Sequence, residues 1–273
     1  MTEESAADGE VAGGREPVPT VLCERRGRVL VLTINRPAAR NAVDKDVAFR
    51  IGDALDRADR DSDLGAVVLT GAGDVFCAGA DLKAVARGEA LRPDDPVRDS
   101  WGFAGYTRNP ISKPTVAAVN GPAVGGGFEL VLASDLAVAS SSAFFALPET
   151  SRGIFAAAGG AVRLPAQLGP KLAAEVLLAG RRLRAMAAYR HGLVNAVVEP
   201  QDVLAAAVRC AARAAENPPE AVSAALRLAR GAGRYTAPDE DSGWQLSARE
   251  WECLAALGAR RRARERRGDG RSR

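Results

Sequence analysis

Short apolar runs rich in β-branched residues alternate along this chain with segments in which apolar positions recur every three or four residues. The first pattern predicts buried strands and the second predicts amphipathic helices. The predicted strands are Val21–Glu24, Arg28–Ile34, Leu64–Thr70, Thr115–Val119, Asp135–Ala139, Ala143–Leu147 and Leu193–Val198. The predicted helices are Asp44–Arg60, 160–168, Pro170–Leu178, Val203–Glu216, Glu220–Ala229 and Gln245–Glu265. This alternation predicts an α/β fold that is followed by a helical C-terminal part.

One segment between a strand and a helix has features of an active site. Thr115–Val119 is followed by a turn, by Gly125-Gly126-Gly127 and by an apolar run of helical character that begins around Glu129. The first amides of a helix lack intrahelical acceptors and lie at the positive end of its dipole, so they can stabilise an oxygen that gains negative charge. Glu129 then places a carboxylate beside these amides. The alternative is a tight strand-to-helix connection without a chemical role, and three glycines alone do not exclude it.

Two further segments carry small or acidic residues where a predicted strand ends. Phe76–Leu82 is a loop of small residues before a predicted helix, and it permits close approach to the backbone. Pro148-Glu149 ends the strand Ala143–Leu147 and supplies a second carboxylate. Taken alone, the loop is more often a plain turn, and Glu149 could equally be a solvated surface residue.

Composition excludes several classes of protein. A net charge of +3 over 273 residues is too small to indicate a nucleic-acid-binding protein. The four cysteines have no paired spacing, so neither a disulfide framework nor a metal site is predicted, and a reducing cytoplasm is expected. No apolar run approaches the roughly 20 residues that span a membrane. Residues 1–19 are predicted as a disordered leader.

Several side chains receive a structural interpretation. The lone histidine, His191, is expected at the C-terminal end of a helix, and Cys77 is expected to be a small buried hydrophobe. Residues 89–98 are predicted to form an exposed, mobile loop. Three aromatic residues after this loop are predicted to belong to the core or to a pocket wall. They are Trp101, Phe103 and Tyr106.

The ordered set of segments resembles the crotonase (enoyl-CoA hydratase/isomerase) family, closest to bacterial enoyl-CoA hydratases. Asn35-Arg36-Pro37 with Asn41-Ala42, then Phe76–Leu82, then Ala118–Leu130 with Pro148-Glu149 carry the resemblance. The family implies a spiral of ββα units and a helical C-terminal region that makes trimers or dimers of trimers. Residues 20–200 then form the core and residues 201–257 the C-terminal helical region. Residues 258–273, with eight arginines, are expected to be a basic, disordered tail.

The resemblance also implies roles for individual residues. Glu129 and Glu149 match the catalytic glutamates of hydratases, and the oxyanion-hole amides match Ala80 and Gly126. The implied activity is reversible addition of water to a 2-enoyl-CoA thioester, without a metal or a separate cofactor. Five positions are implied along the path of coenzyme A, mostly through their backbone. They are Ala38, Arg40, Ala78, Asp81 and Leu82.

Other functions stay open at this point. The family also contains enoyl-CoA isomerases and acyl-CoA thioester hydrolases, although the presence of both glutamates favours hydration. A non-catalytic protein that binds acyl-CoA, or nucleic acid through the arginine-rich tail, is a further alternative. One departure bears on the rate or the substrate preference, because Ala156-Ala157 replaces the Pro-Gly pair that many hydratases have near the water site.

Overall fold

The computed structural model describes residues 18–91 and 95–232. Six strands form the main sheet, in the spatial order β1, β2, β3, β4, β6, β9, and every pair is parallel except β1 with β2. These strands are β1 (Val21–Arg26), β2 (Val29–Ile34), β3 (Ala66–Gly71), β4 (Thr115–Val119), β6 (Leu136–Ser140) and β9 (Ala196–Val198). Three shorter strands form a second sheet. They are β5 (Ala123–Val124), β7 (Phe144–Ala146) and β8 (Leu183–Arg184).

Nine α-helices surround the sheets in the described part of the chain. They are α1 (Lys45–Arg60), α2 (Leu82–Ala86), α3 (Pro96–Asp99), α4 (Gly126–Ala133), α5 (Gly160–Gln167), α6 (Pro170–Ala179), α7 (Ala185–Arg190), α8 (Val203–Ala215) and α9 (Pro219–Ala232). The helix α1 begins where the Asp44 side chain accepts a hydrogen bond from the amide of Val47, which caps the first turn.

The main sheet is buried on both faces, which explains why its central strands are almost continuously apolar. Successive side chains of a strand point to opposite faces, so Val67 and Leu69 of β3 join the larger core, which includes α1 and α4. Their neighbours Ala66 and Val68 face the other way and pack with α8. Helices on both faces of a parallel sheet are typical of α/β proteins.

Most sequence-based predictions of elements are confirmed, with differences of a few residues at the ends. The strands β5 and β8 were missed because two-residue strands carry no periodicity. The segment 89–98 was predicted as a loop, but Pro96–Asp99 forms one helical turn because the Asp95 carboxylate caps the amides of Val97 and Arg98. The helices α8 and α9 confirm the helical part after residue 200 as far as residue 232.

Three predictions fall wholly or largely outside the described residues. They concern the leader over residues 1–19, the helix Gln245–Glu265 and the basic tail over residues 258–273. Within residues 18–91 and 95–232, every helix is too short or too polar to cross a lipid bilayer.

Candidate active site

Two loops from the first third of the chain lie side by side at one edge of the site. The amide of Val43 donates to the carbonyl of Gly79 at 2.8 Å, and the amide of Asp81 donates to the carbonyl of Val43 at 2.9 Å. This parallel bridge pairs Val43 with Ala80 and uses the groups on either side of Ala80. The amide of Ala80 therefore points away from Val43, and it donates to no other residue in the described part of the chain.

The Ala80 loop approaches the start of α4 closely. Gly79 has a φ of +89°, which favours glycine, and a Cβ there would lie 2.9 Å from the amide nitrogen of Gly126. Gly126 is the first residue of α4, so its amide has no intrahelical acceptor. Within residues 18–91 and 95–232, this amide also donates to no other residue. The structure thus brings together the two amides that the resemblance implied for an oxyanion hole.

Glu129 lies in the first turn of α4 and is only 3% exposed. Its Oε1 accepts a hydrogen bond from the amide of Gly160 at 2.8 Å. Burial raises the pKa of Glu129 to about 8; the amide of Gly160 opposes this rise and the charge of Glu149 adds to it. A carboxyl group with such a pKa retains its proton near neutral pH and can take part in proton transfer.

Glu149 begins a short 3₁₀ turn after β7, and its side chain lies next to Gly125, the residue that precedes α4. A Cβ built on Gly125 would lie 3.0 Å from Oε1 of Glu149, so the carboxyl group lies next to the start of α4. Its Oε2 is buried and makes no hydrogen bond to any described residue. Burial also raises the pKa of Glu149. Two carboxyl groups that interact and both resist ionisation can share one proton.

A turn before α5 forms the wall behind Glu129, and it contains the alanine pair noted in the sequence. Ala156 is buried, and its Cβ lies 2.8 Å from the position that a Cβ on Gly160 would occupy. The amide of Gly160 donates a hydrogen bond that lowers the pKa of Glu129, and the backbone of Ala158 also lowers it. The turn that carries Ala156-Ala157 therefore contacts the carboxyl group directly through its backbone.

An aromatic segment closes another side of the site. A Cβ on Gly126 would lie 2.5 Å from two carbons of the Phe103 ring, so this ring packs against the start of α4. Trp101 is buried against Gly52 of α1, and the Tyr106 hydroxyl lies 2.8 Å from the Ser134 hydroxyl. The prediction of core or pocket wall is confirmed, with Phe103 in the wall and the other two in the core.

The five positions implied for coenzyme A lie on the two adjacent loops and at the start of α2. Ala38 and Arg40 are exposed, Leu82 is 49% exposed, and the amide of Ala78 donates to the carbonyl of Arg40 at 3.0 Å. The side chain of Asp81 has structural partners. It caps α2 through the amides of Lys83 and Ala84 and pairs with Arg36 at 3.0 Å. Contact with coenzyme A through these residues remains a prediction.

The structural interpretations of the remaining candidates are confirmed. His191 ends α7, where its amide donates to the carbonyl of Ala187, and its side chain is exposed. Cys77 is fully buried, and burial raises the pKa of its thiol to about 12, so the thiol stays protonated.

Two arginines near the site were missed by sequence reasoning as contributors to it. Arg36 pairs with Asp44 and Asp81, both at 3.0 Å, and so connects the two loops. Arg163 of α5 donates to the carbonyl of Thr107 at 2.7 Å. Arg36 lies within the Asn35-Arg36-Pro37 motif, which was a usable signal, whereas nothing in the sequence around Arg163 indicates its contacts.

Comparison with known proteins identifies the chain at the level of its family. The sequence profile described as "Enoyl-CoA hydratase/isomerase" matches residues 24–234. The chain belongs to this family. Its crotonase fold is confirmed by the structure of EchA1_1 from Mycobacterium paratuberculosis, which is 51% identical and superimposes with a TM-score of 0.81 over 87% of this chain and 92% of the other.

Two curated members of the enoyl-CoA hydratase/isomerase family illustrate the activities of its similar relatives. The carnitinyl-CoA dehydratase of Proteus mirabilis is 43% identical over 207 residues, which are 75% of this chain and 78% of the relative. The enoyl-CoA hydratase EchA19 of Mycobacterium tuberculosis is 40% identical over 222 residues, which are 79% and 82%. The chain is accordingly an enzyme of the family that contains these hydratases and dehydratases.

Proposed function

We propose that this enzyme adds water reversibly across the 2,3 double bond of a 2-enoyl-CoA thioester. The observation that carries the proposal is the arrangement of Glu129 and Glu149 around the start of α4. Both carboxyl groups are largely buried and have raised pKa values, and the unpartnered amide of Gly126 lies in the same turn. Hydration requires a base for water, an acid for C2 and stabilisation of the thioester oxygen. These groups supply all three.

In the proposed step, one water molecule lies between the two carboxyl groups. Its oxygen bonds to C3 as one O–H bond breaks, and Glu129 takes up the released proton. The π electrons of the double bond move towards the thioester, whose oxygen is stabilised by the amides of Ala80 and Gly126. Glu149 donates a proton to C2, and proton exchange between the carboxyl groups then restores the starting state. In the free protein the raised pKa of Glu129 keeps a proton on this group, and transfer of that proton to Glu149 gives the ionised Glu129 that accepts from water.

The amides of Ala80 and Gly126 stabilise the thioester oxygen through their fixed position and exchange no proton. An oxyanion-hole donor is effective because it is already oriented before charge develops, and loss of one such donor typically reduces the rate about 10²–10³-fold. In the proposal, Gly79 lets the Ala80 loop approach Gly126, and the bridge to Val43 fixes that loop. No metal or separate cofactor is required, since the carboxyl groups and amides cover each charge and each proton.

The acyl group is a separate part of the proposal, and the carnitinyl-CoA dehydratase relative supplies a second candidate. Carnitinyl-CoA is a 3-hydroxyacyl thioester with a trimethylammonium group on C4, and its dehydration is the same step in reverse. The ring of Phe103 beside Gly126 offers an aromatic surface near the reacting carbons, which favours a cationic group within about 6 Å. Simple acyl chains would contact the same ring through apolar packing.

The test uses purified protein with crotonyl-CoA, longer 2-enoyl-CoAs and the C4-trimethylammonium analogue. Loss of the ultraviolet absorbance of the conjugated thioester reports hydration. We expect turnover of at least one substrate, and a decrease of about 10²-fold or more in both Glu129→Gln and Glu149→Gln. Glu175→Gln, on the exposed face of α6, is the matched control and should retain wild-type turnover.

The alternatives predict different products. An enoyl-CoA isomerase would form the conjugated thioester from a 3-enoyl-CoA, and a thioester hydrolase would release free coenzyme A, which thiol reagents detect. A folded protein that binds acyl-CoA but converts none of these substrates would refute the hydratase proposal in favour of a binding protein. In that case, deletion of residues 258–273 would show whether any nucleic-acid binding depends on the arginine-rich tail.

The trimer or dimer of trimers and the cytoplasmic location remain part of the proposal. Both derive from the resemblance to the family and from the scattered cysteines. Light scattering coupled to size-exclusion chromatography would measure the mass of the assembly directly. A monomer at micromolar concentration would contradict the oligomeric part without affecting the catalytic part.

A further inference from the structure

Arg163 lies in the first half of α5 and donates hydrogen bonds to carbonyl groups of two separate segments. Its Nη2 donates to the carbonyl of Thr107 at 2.7 Å, and its Nη1 donates to the carbonyl of Ala158 at 3.4 Å. The residue is half-buried. A planar guanidinium presents several N–H groups in a fixed geometry, so one side chain can hold two carbonyl groups from different segments.

One contact leads to the turn beside Glu129, and the other leads to the segment that packs on Gly126. The hydrogen bond from the amide of Gly160 lowers the pKa of Glu129, and so does the backbone of Ala158, which belongs to the turn before α5. Thr107 belongs to the aromatic segment, where its own amide donates to the carbonyl of Phe103 at 3.2 Å. Arg163 therefore joins the turn that hydrogen-bonds to Glu129 with the segment whose aromatic ring packs on Gly126.

The charge of Arg163 acts on the same carboxyl group. Among the described residues, two charged side chains shift the pKa of Glu129. Glu149 raises this pKa and Arg163 lowers it. A third charged group, Arg152, lowers the pKa of Glu149. The positive charge of Arg163 thus opposes the rise in the pKa of Glu129 that burial and the partner carboxylate cause.

We propose that Arg163 is a positioning residue of the catalytic pair: it joins the Ala158 turn beside Glu129 to the Thr107 segment and so holds that turn in place. The inference rests on the proposed hydratase function. Arg163 has no part in the proposed chemical step. Its effect is transmitted by two backbone carbonyl groups and by its positive charge.

Three variants separate the charge of Arg163 from its geometry. Arg163→Met removes both, Arg163→Lys keeps the charge without the planar donor group, and Arg163→Gln keeps a donor without the charge. Arg181→Met is the matched control, because Arg181 is an exposed arginine whose partner is Glu175 of α6. Turnover is measured from pH 5 to pH 10, and thermal unfolding reports whether each variant is folded.

In the wild type, turnover should decrease as the pH rises through about 8, where the pair loses its proton. Loss of the nearby cation makes the charged form of Glu129 less favourable, so the decrease should move to higher pH. We expect a shift of about half a pH unit or more in Arg163→Met and Arg163→Gln. In Arg163→Lys the decrease should stay near its wild-type position, while kcat falls about 10-fold because the turn is less well held.

A direct measurement keeps this inference separate from the hydratase proposal. The carboxyl stretching band of Glu129, identified by its loss in Glu129→Gln, can be titrated by infrared spectroscopy without any substrate. An upward shift of its titration in Arg163→Met and Arg163→Gln would support the inference even in a protein that hydrates no enoyl-CoA. An unchanged titration in a folded variant, with or without a lower melting temperature, would overturn it. Should Arg163→Met fail to fold, Arg163→Gln provides the same comparison.

Discussion

Glu129 accepts a 2.8 Å hydrogen bond from the amide of Gly160, 31 positions further along the chain. This contact connects the first turn of α4 to the first residue of α5 and fixes one carboxyl oxygen inside the protein. A single amide hydrogen bond does not offset the cost of ionising a fully buried carboxyl group. The position is therefore suited to catalysis and unfavourable for stability.

The first prediction concerns the cost of ionising Glu129 inside the folded protein. Because the pKa of Glu129 is raised from 4.5 to about 8, the folded protein holds a proton that the unfolded chain releases between these values. Stability from this group is fully present below pH 4.5 and is lost as the pH rises through about 8. We expect Glu129→Gln to be more stable than the wild type at pH 8, by about 2–5 kcal/mol, and similar near pH 5.

The measurement is urea unfolding of both proteins at several pH values. The side-chain amide that Glu129→Gln introduces retains an oxygen that can accept from the amide of Gly160, so the variant isolates the ionisation. Glu175→Gln, at an exposed position, should leave the pH dependence of unfolding unchanged. If wild type and Glu129→Gln had the same dependence on pH, the raised pKa would be refuted.

The second prediction concerns the contact between Gly126 and Phe103. In Gly126→Ala the new methyl group would lie 2.5 Å from the Phe103 ring, so the ring or the start of α4 must move. We expect kcat/KM to fall by about 10²-fold, as for loss of one oxyanion-hole donor. In the double variant Gly126→Ala with Phe103→Ala the clash is absent, and part of this activity should return.

Gly169→Ala is the matched control for this substitution. A Cβ at Gly169 would meet nothing within 4 Å, so this variant should behave as the wild type. The same kinetic assay and thermal unfolding are applied to all four proteins. Equal activity of Gly126→Ala and Gly169→Ala would contradict the expected displacement of the Gly126 amide by the Phe103 ring.

The third prediction concerns Arg36, which connects the two loops beside the proposed oxyanion hole. Its side chain is 21% exposed and pairs with both Asp44 and Asp81, whereas the pair of Arg50 and Asp46 on α1 is about half exposed. Removal of one partner from a largely buried cluster leaves charge without compensation. We expect Arg36→Met to lose about 1–3 kcal/mol of stability and to raise KM, since the Ala78–Leu82 loop loses its support.

Arg50→Met is the control for the loss of an arginine. An exposed pair of this kind contributes little, so its loss should barely change stability and should leave KM unaltered. Thermal unfolding and steady-state kinetics compare the two variants. Equal effects of the two substitutions on stability and KM would show that the Arg36 cluster does not support the loop.

The elements around the site were predictable because their local patterns agree with their final environments. The strand Thr115–Val119 was placed without error, since a short β-branched run with a turn after it matches a strand buried on both faces. Glu149 was correctly placed just after a strand, because Pro148 ends the apolar run that predicted β7, and β7 itself ends at Ala146. In the same way, Asp44 and the periodic apolar residues after it predicted α1.

What the sequence could not predict depends on contacts between distant segments. The sequence did not show whether Phe103 belongs to the core or to the pocket wall, because its position is set by Gly126 of α4. The raised pKa of Glu129 results from burial by several elements and from the charge of Glu149, so no local sequence pattern indicates it. Arg163 reaches Thr107 across 56 positions, and helical periodicity gives no indication of such a partner.

The bridge between Val43 and Ala80, together with the hydrogen bond from Gly160 to Glu129, has a consequence for synthesis of the chain. The growing polypeptide leaves the ribosome from its N-terminus. The Ala80 loop can therefore pair with Val43 early, whereas the hydrogen bond to Glu129 cannot form until Gly160 has emerged. Until then, a nascent chain carries an unsupported acidic group beside exposed apolar strands. The carboxyl group of Glu129 consequently gains this hydrogen-bond partner late, after more than half of the chain has been translated.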